Sequence, residues 1–196
     1  FNTFGRRRSQ WWNLRAYLGK QVTLSIRIEP VNTKVAVSRL QAFAAILRPR
    51  SIIDRTKTDA TAWRYTTGQP PGNWYAAGFD DSTWKQGRAL FATKDVPGMQ
   101  TLWDTDDIWI RRTFEMRAGK AEGMHFLVMN DDNATVYING RLATKFFAAR
   151  HTYYTLPMEK RAAALLKPGR NVIAIHCKNT GGPGHIDVSM FDVVDR

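Results

Sequence analysis

The feature that most constrains the fold is a hairpin signal that follows a segment of alternating polarity. The run Ala134–Ile138 alternates apolar and polar side chains, and Asn139-Gly140 comes directly after it. Both residues of this dipeptide tolerate a positive φ, so the pair predicts a two-residue turn between antiparallel strands. Further short apolar or alternating segments predict strands at 63–66, 108–114, 125–129, 171–176 and 186–190.

Turn-forming residues separate these segments throughout the second part of the chain. They read QPPGN at 69–73, VPG at 96–98, KPG at 167–169 and GGPG at 181–184, and the one predicted helical turn lies near 160–166. Many short strands with frequent turns and little helix are typical of two stacked antiparallel sheets. The sequence therefore predicts an all-β protein built on an antiparallel β-sandwich.

The first part of the chain differs in pattern and in charge. Residues 21–28 alternate as a strand with one buried face, and Pro30 ends this run. Segment 40–47 has helix-forming composition, and helix and strand both stay open for it from the residues alone. We divide the chain into residues 1–50, a polar linker at 51–58, and a main module at 59–196.

The positive charge is concentrated in the first part of the chain. The net charge is +12, and residues 1–50 carry ten Lys and Arg against one acid, so the remainder carries only +3. Solvated strands and an exposed tail are the default interpretation of such a segment, and a polyanion partner for residues 1–50 is the alternative. The single cysteine, Cys177, excludes a disulfide framework and is expected to be buried. The apolar runs are too short for a membrane span.

Five segments of the main module resemble one family. They are FDDSTWKQG at 79–87, DIWIRRTF at 107–114, NDDNATVYING at 130–140, PGRNVIAIH at 168–176 and NTGGPGHID at 179–187. In this order they resemble the sugar-binding jelly-roll domain of family 2 glycoside hydrolases and related accessory domains. The resemblance implies a galactose-binding-domain-like jelly roll. Residues 12–22 are similar to the last strands of such domains, which favours strand at 40–47 and makes residues 1–50 the C-terminal strands of a preceding sandwich.

Paired carboxylates are what a glycosidase would need. The acids cluster at three turns, and in the resembling family such acids brace loops while the acid/base chemistry lies in a separate domain. The histidines show no spacing typical of metal ligands. We therefore predict no catalytic residue in the module. The acids are Asp80 and Asp81; Asp104, Asp106 and Asp107; Asp131 and Asp132; the histidines are His125, His151, His176 and His185.

Aromatic residues are the first candidates for a sugar-binding surface, because a sugar ring stacks on an aromatic face. Trp84, Trp109 and Tyr137 fall on motif strands and are expected in the core. The aromatic residues in polar loops either pack beneath those loops or form a ligand platform. The tentative ligand-binding set is Trp74, Tyr75, Trp103, Asp104, Asp106 and Asn179.

Two expectations concern charged residues near strand 108–114. Asp104, Asp106 and Asp107 offer the hard oxygen ligands that calcium prefers, which leaves a structural calcium ion open there, although the spacing is not that of an EF-hand. Arg111 and Arg112 point to opposite faces of their strand, which predicts one inward, paired arginine and one solvated arginine.

The resemblance implies a non-catalytic, carbohydrate-associated accessory module of a larger carbohydrate-active protein that is exported to the periplasm, cell surface or medium. Such a module binds glycan or orients a catalytic domain. Two alternatives stay open: a purely structural spacer in an extracellular assembly, and polyanion attachment through residues 1–50. The chain opens at Phe1 without a visible signal peptide, and we expect it to be a piece of a longer protein.

Overall fold

The computed structural model describes residues 48–53, 63–117, 123–147 and 149–194. The first unit of the chain, residues 1–45, lies outside the described residues. The strands expected at 21–28 and 40–47 and the polyanion site at 1–50 therefore stay predictions. Within the described residues, none of the helices has the length and apolarity to cross a membrane.

Among the described residues there are twelve strands and one short helix, α1 (Lys160–Ala163), which lies near the place the sequence predicts. In chain order the strands are β1 (Arg48–Ile53), β2 (Trp63–Thr66), β3 (Lys85–Gly87), β4 (Phe91–Ala92), β5 (Thr101–Leu102), β6 (Asp107–Met116), β7 (Met124–Asp131), β8 (Asn133–Ile138), β9 (Arg141–Phe146), β10 (Arg150–Pro157), β11 (Gly169–Lys178) and β12 (His185–Val194).

The strands make two sheets of six. The first sheet has the order β10-β7-β12-β4-β5. On one side of β12, β4 pairs with its first residues and β1 pairs with its last residues. The second sheet has the order β3-β2-β6-β11-β8-β9. The pairings are antiparallel except for β4 with β5. The all-β antiparallel sandwich predicted from the sequence is confirmed.

The six predicted strands correspond to β2, β6, β7, β8, β11 and β12, but the module begins earlier than expected. Residues 51–53, which the sequence analysis assigned to a linker, belong to β1. That strand pairs with β12 from Arg48 opposite Val194 to Ile53 opposite Met190. The polar composition of 50–58 misled the prediction, because an edge strand needs few apolar residues to pair through its backbone.

The main core lies between the two sheets and is built from alternate residues of the long strands. Ile186, Val188 and Met190 of β12 face it, as do Ile108 and Ile110 of β6. Its largest fully buried side chains include Trp63, Trp103, Phe91 and Phe126. Cys177 is also fully buried in this core, as expected, and burial raises the pKa of its thiol far above the ordinary value. The thiol is therefore unreactive in the folded protein.

The outer face of each sheet is covered as well. On the second sheet, Trp74, Trp84 and Trp109 form a separate buried cluster with Ala174. On the first sheet, a smaller cluster contains Leu90, Ala92 and Met129. Polar residues that alternate with the core positions are consequently also removed from water, so each needs a partner inside the protein.

Two asparagine amides fasten the predicted hairpin to the start of β11. Asn139, at φ 50° in the turn, donates from Nδ2 to the Asn171 Oδ1 at 2.8 Å and accepts from the Val172 N–H at 2.9 Å. Asn171, which is 1% exposed, donates to the carbonyls of Lys167 and Gly169. These bonds satisfy the carbonyl groups of Lys167 and Gly169, where the turn passes into β11.

We predict that Asn171→Ala lowers the free energy of unfolding by about 2–3 kcal/mol, because several buried partners of one amide lose their bonds together. Denaturant unfolding followed by tryptophan fluorescence measures the change. The control is Asn73→Ala in an exposed loop, which should shift stability by no more than about 0.5 kcal/mol. Equal effects of the two substitutions would contradict a fastening role for Asn171.

Candidate functional site

A buried arginine holds the loop between β2 and β3, residues 67–84, against the outer face of the second sheet. Arg111, 2% exposed on β6, forms an ion pair from Nε to Asp81 Oδ2 at 2.8 Å. Its terminal nitrogens donate to the carbonyl oxygens of Trp74, at 2.5 Å, and Ala76, at 3.1 Å, and its guanidinium lies 5.2 Å from the centre of the Phe79 ring. The planar fork of arginine suits several acceptors at once. The paired arginine expected from the sequence is thus Arg111, and its partners come from the loop.

The second arginine of the pair is not simply solvated. Arg112 is half-buried, and its guanidinium lies 5.9 Å from the centre of the Trp63 ring. This is the geometry of a cation–π contact. The expectation of one solvated arginine is therefore wrong, because the neighbouring core tryptophan offers Arg112 an aromatic face.

An aromatic cluster lies beneath the same loop. Trp84 and Trp109 are each 9% exposed, as expected for core residues, and Trp74 is 8% exposed. Tyr75 and Tyr137 are half-buried and stack with ring centres 4.4 Å apart, and burial raises the pKa of Tyr137. Of the two open alternatives for Trp74, the structure favours packing, because its indole is almost wholly enclosed.

The tentative ligand-binding residues fall into two separate places. In the first place, Tyr75 contacts Tyr137, which is paired with Ala174 of β11. In the second place, the Asn179 N–H donates to the Asp106 carbonyl, and Asn179 follows Lys178 at the end of β11. Ala174 and Lys178 are four residues apart on β11, so the two places are separated by about 13 Å along the strand. A single sugar ring is too small to touch both places, so the six residues do not form one site for a monosaccharide.

Trp103 is fully buried, so its ring has no face open to a ligand. Its indole N–H donates to the Thr105 hydroxyl at 3.1 Å, and that hydroxyl donates to the Asp107 carbonyl at 2.9 Å. The side-chain amide of Asn179 is likewise used within its own loop, by Gly181 and Gly182. The ligand-platform alternative fails for Trp103, whose role is to fix the loop before β6.

The expected calcium ligands do not come together. Asp104 and Asp106 are exposed, and the Asp107 carboxylate accepts a hydrogen bond from His176 Nε2 at 2.6 Å. The His176 ring stacks on Trp109 with centres 4.8 Å apart. Because its carboxylate is hydrogen-bonded to an imidazole, Asp107 is poorly placed to be one of the six to eight oxygen ligands of a calcium ion.

Two further acids, Asp80 and Asp132, brace turns, as predicted, whereas Asp131 is buried on β7 and burial raises its pKa. Asp80 accepts the Ser82 N–H at 2.9 Å, and the backbone N–H and hydroxyl of Ser82 hold the pKa of Asp80 below its usual value. Asp132 accepts bonds from the N–H and hydroxyl of Thr180, which lower the pKa of Asp132 in the same way. Carboxylates stabilised in the charged form are poorly suited to act as general acids.

A cluster that the sequence analysis missed joins Asp131, His151 and His185. One ligand atom from each side chain lies within 4.8 Å of the others. Asp131 and His185 are buried and directly opposite each other on β7 and β12, while His151 comes from the edge strand β10. The spacing of the histidines in the sequence gave no sign of this cluster, because strand pairing joins residues that are far apart in sequence.

One open groove lies beside the loop that Arg111 holds. It encloses about 380 Å³, within the size range of small-ligand sites, and its lining contains no carboxylate. The lining residues include Tyr65, Gln69 and Lys85 together with three threonines, and the Tyr65 ring also packs against Phe91 of the core. Such a lining can donate and accept hydrogen bonds, but it has no acid to protonate a glycosidic oxygen.

Comparison with known proteins reveals the fold class. No protein-family model matches the sequence, and no curated protein is similar to it. Solved structures are similar: a β-glucuronidase from Bacteroides uniformis matches 76% of this chain at 18% identity and a TM-score of 0.55. A glycosyl hydrolase family 2 member from Bacteroides cellulosilyticus matches 71% at 19% identity and a TM-score of 0.52. A calcium-binding mutant of B. uniformis β-glucuronidase 2 matches 74% at 18% identity and a TM-score of 0.50.

These likenesses confirm, at the level of fold, the resemblance to a sandwich domain of family 2 enzymes. This chain spans about a fifth of the length of those proteins: 18% of the β-glucuronidase and 20% of the B. cellulosilyticus protein.

We predict that Arg111→Ala destabilises the module by about 3–5 kcal/mol, because it leaves the Asp81 carboxylate and two carbonyls without their cation. Denaturant unfolding measures the loss, and trypsin should cut faster at Lys85 because the loop before it is released. The control is Arg170→Ala on an exposed position of β11, with an expected change within about 0.5 kcal/mol. Unchanged cleavage in Arg111→Ala would contradict the loop-holding role.

Proposed function

We propose that this sandwich is a non-catalytic accessory module of a larger, exported carbohydrate-active protein and that it orients a neighbouring catalytic domain. The observation that carries the proposal is the engagement of the clustered acids. Asp81 is bound to Arg111, Asp107 to His176 and Asp132 to Thr180. A glycosidase needs two carboxylates that face one substrate and are free to exchange protons.

The fold likeness supports the same proposal. The similar structures are family 2 glycoside hydrolases, and the matching part is about a fifth of each. Because this likeness is limited to fold, the activity of the parent protein and its export beyond the cytoplasm belong to the proposal.

An orienting role is favoured over sugar stacking by the burial of the tryptophans. The described ones are all at most 9% exposed, namely Trp63, Trp74, Trp84, Trp103 and Trp109. Sugar-binding surfaces use the open face of an aromatic ring. Enclosed indoles stiffen the module instead, and a stiff module is suited to holding another domain in a fixed place.

Glycan binding is the second candidate, and the groove beside Tyr65 favours it. Gln69, Lys85 and three threonines among its lining residues carry side chains that can form hydrogen bonds. Binding through so few groups in an open groove is expected to be weak.

We predict that the 196-residue chain releases no product from aryl glycosides or aryl glucuronides above the rate in buffer. The physical reason is that, in the parts of the chain that the structure describes, the groove has no carboxylate in its lining to act as acid or base. Release of the aryl chromophore at high protein concentration is the measurement. The control is the double variant Asp104→Asn and Asp106→Asn, which removes the two exposed carboxylates of the loop before β6. Turnover that disappears in this variant would show an independent hydrolase and overturn the proposal.

For the groove, we predict that any glycan captured on an array loses about tenfold or more in affinity with Gln69→Ala and Lys85→Ala, since each substitution removes a hydrogen-bonding group. Titration calorimetry with the captured glycan provides the measurement. Asp104→Asn serves as the control and should bind normally. A glycan that binds all variants equally contacts another surface, and an array without captured glycans supports the orienting role alone.

A further inference from the structure

The cluster of Asp131, His151 and His185 lies on the outer face of the first sheet. Alternation places it there, because Ile186 and Val188, which follow His185 on β12, point into the main core at alternate positions. Asp131 and His185 are strand partners on β7 and β12, so their side chains project side by side. His151, whose side chain is 70% exposed, approaches from β10 at the edge of the sheet.

We propose that Asp131, His151 and His185 bind a divalent transition-metal ion of the zinc class, with solvent completing the coordination. Two imidazole nitrogens and one carboxylate oxygen are a ligand set that zinc and similar ions accept. Calcium prefers oxygen ligands, so this site differs in chemistry from the calcium site that the sequence suggested.

His185 carries the strongest indication. It is 1% exposed, and its Nδ1 has no hydrogen-bond partner, whereas its Nε2 lies 3.1 Å from the Arg150 carbonyl oxygen. Since a carbonyl only accepts, Nε2 carries the proton and Nδ1 presents a lone pair. Metal-binding histidines commonly use one nitrogen for the metal and donate the other N–H to a backbone carbonyl. A buried nitrogen without a partner otherwise costs free energy.

The separations suit a metal after a small movement of one side chain. His151 Nδ1 lies 3.7 Å from Asp131 Oδ2, which is too long for a hydrogen bond. Two ligands each about 2.0 Å from a tetrahedral zinc ion are about 3.3 Å apart. The His151 and His185 rings have centres 5.4 Å apart and are inclined by 51°, so they converge without stacking. Because His151 is the exposed member, its rotation closes the site.

The local charge also suits a cation. Asp131 is buried, and the adjacent Asp132 has its carboxylate engaged by Thr180. The nearby guanidinium of Arg150 is directed elsewhere, with its central carbon 4.6 Å from the centre of the Tyr154 ring. The Asp131 carboxylate therefore lies beside the Asp132 carboxylate and close to two imidazoles, and a bound cation would neutralise a buried negative charge.

Such an ion would join three strands. β10 contributes His151 from the edge of the sheet and exposes most of its side chains, while β7 and β12 are interior strands. A shared ion therefore stabilises the attachment of β10, and metal binding to the folded state raises the unfolding temperature.

The test uses the full 196-residue chain, stripped with chelator and titrated with zinc chloride in a calorimeter. We expect one ion per chain and a rise in the unfolding temperature of several degrees at saturating zinc. Cobalt chloride should give visible d–d bands from nitrogen and oxygen ligands. His151→Ala, which alters an exposed side chain and should fold normally, is expected to lower the zinc affinity at least tenfold.

His176→Gln is the matched control, because His176 also pairs with an acid but belongs to no group of three among the described residues. It should bind zinc as the unaltered chain does. Retention of full zinc affinity in His151→Ala would overturn the proposal, as would an unaltered chain that binds no zinc or that prefers calcium. Loss of binding in both variants would also overturn it, since the effect would then be general.

Discussion

The buried guanidinium of Arg111 must be neutralised where it lies, and this requirement organises one whole face of the sandwich. Water cannot reach a side chain that is 2% exposed, so the loop before β3 supplies Asp81 and two carbonyl oxygens instead. The loop in turn encloses Trp74 and Trp84 against Trp109. A single cation thus determines where an irregular segment lies and why its aromatic rings are hidden.

The requirement that buried polar groups find partners inside the protein has another outcome on the first sheet. There too an outer face is covered, and polar residues such as Asp131, Asp187 and His185 are buried beneath it. Tyr153 donates to Asp187 at 2.6 Å. For His185 the protein supplies a carbonyl for one nitrogen only. A sandwich that covers its outer faces therefore has two kinds of buried polar group: those completed from within, and those, such as His185 Nδ1, that keep no hydrogen-bond partner.

The long strands and the hairpin at Asn139 were predictable because their alternation or apolar content is local. β3, β4 and β5 were missed because two or three residues carry no periodicity, and β9 and β10 because their exposed positions lack a clear alternation. Burial of Trp84 and Trp109 followed from their motif strands. For Trp103, packing was one of the two alternatives that the sequence left open, and its burial decides between them. The meeting of His151 with His185 was not predictable, since it depends on how distant strands pair.

The pairing of β1 with β12 has a consequence for how the protein is made. Arg50 and Asp192 form an ion pair at 2.6 Å across 142 residues of sequence. On the ribosome, at about 5–20 residues per second, β1 therefore waits roughly ten seconds or more for its partner strand. During that interval its unpaired edge is open to other chains. Synthesis of this sandwich should consequently depend on chaperone protection of its earliest strand until the last one emerges.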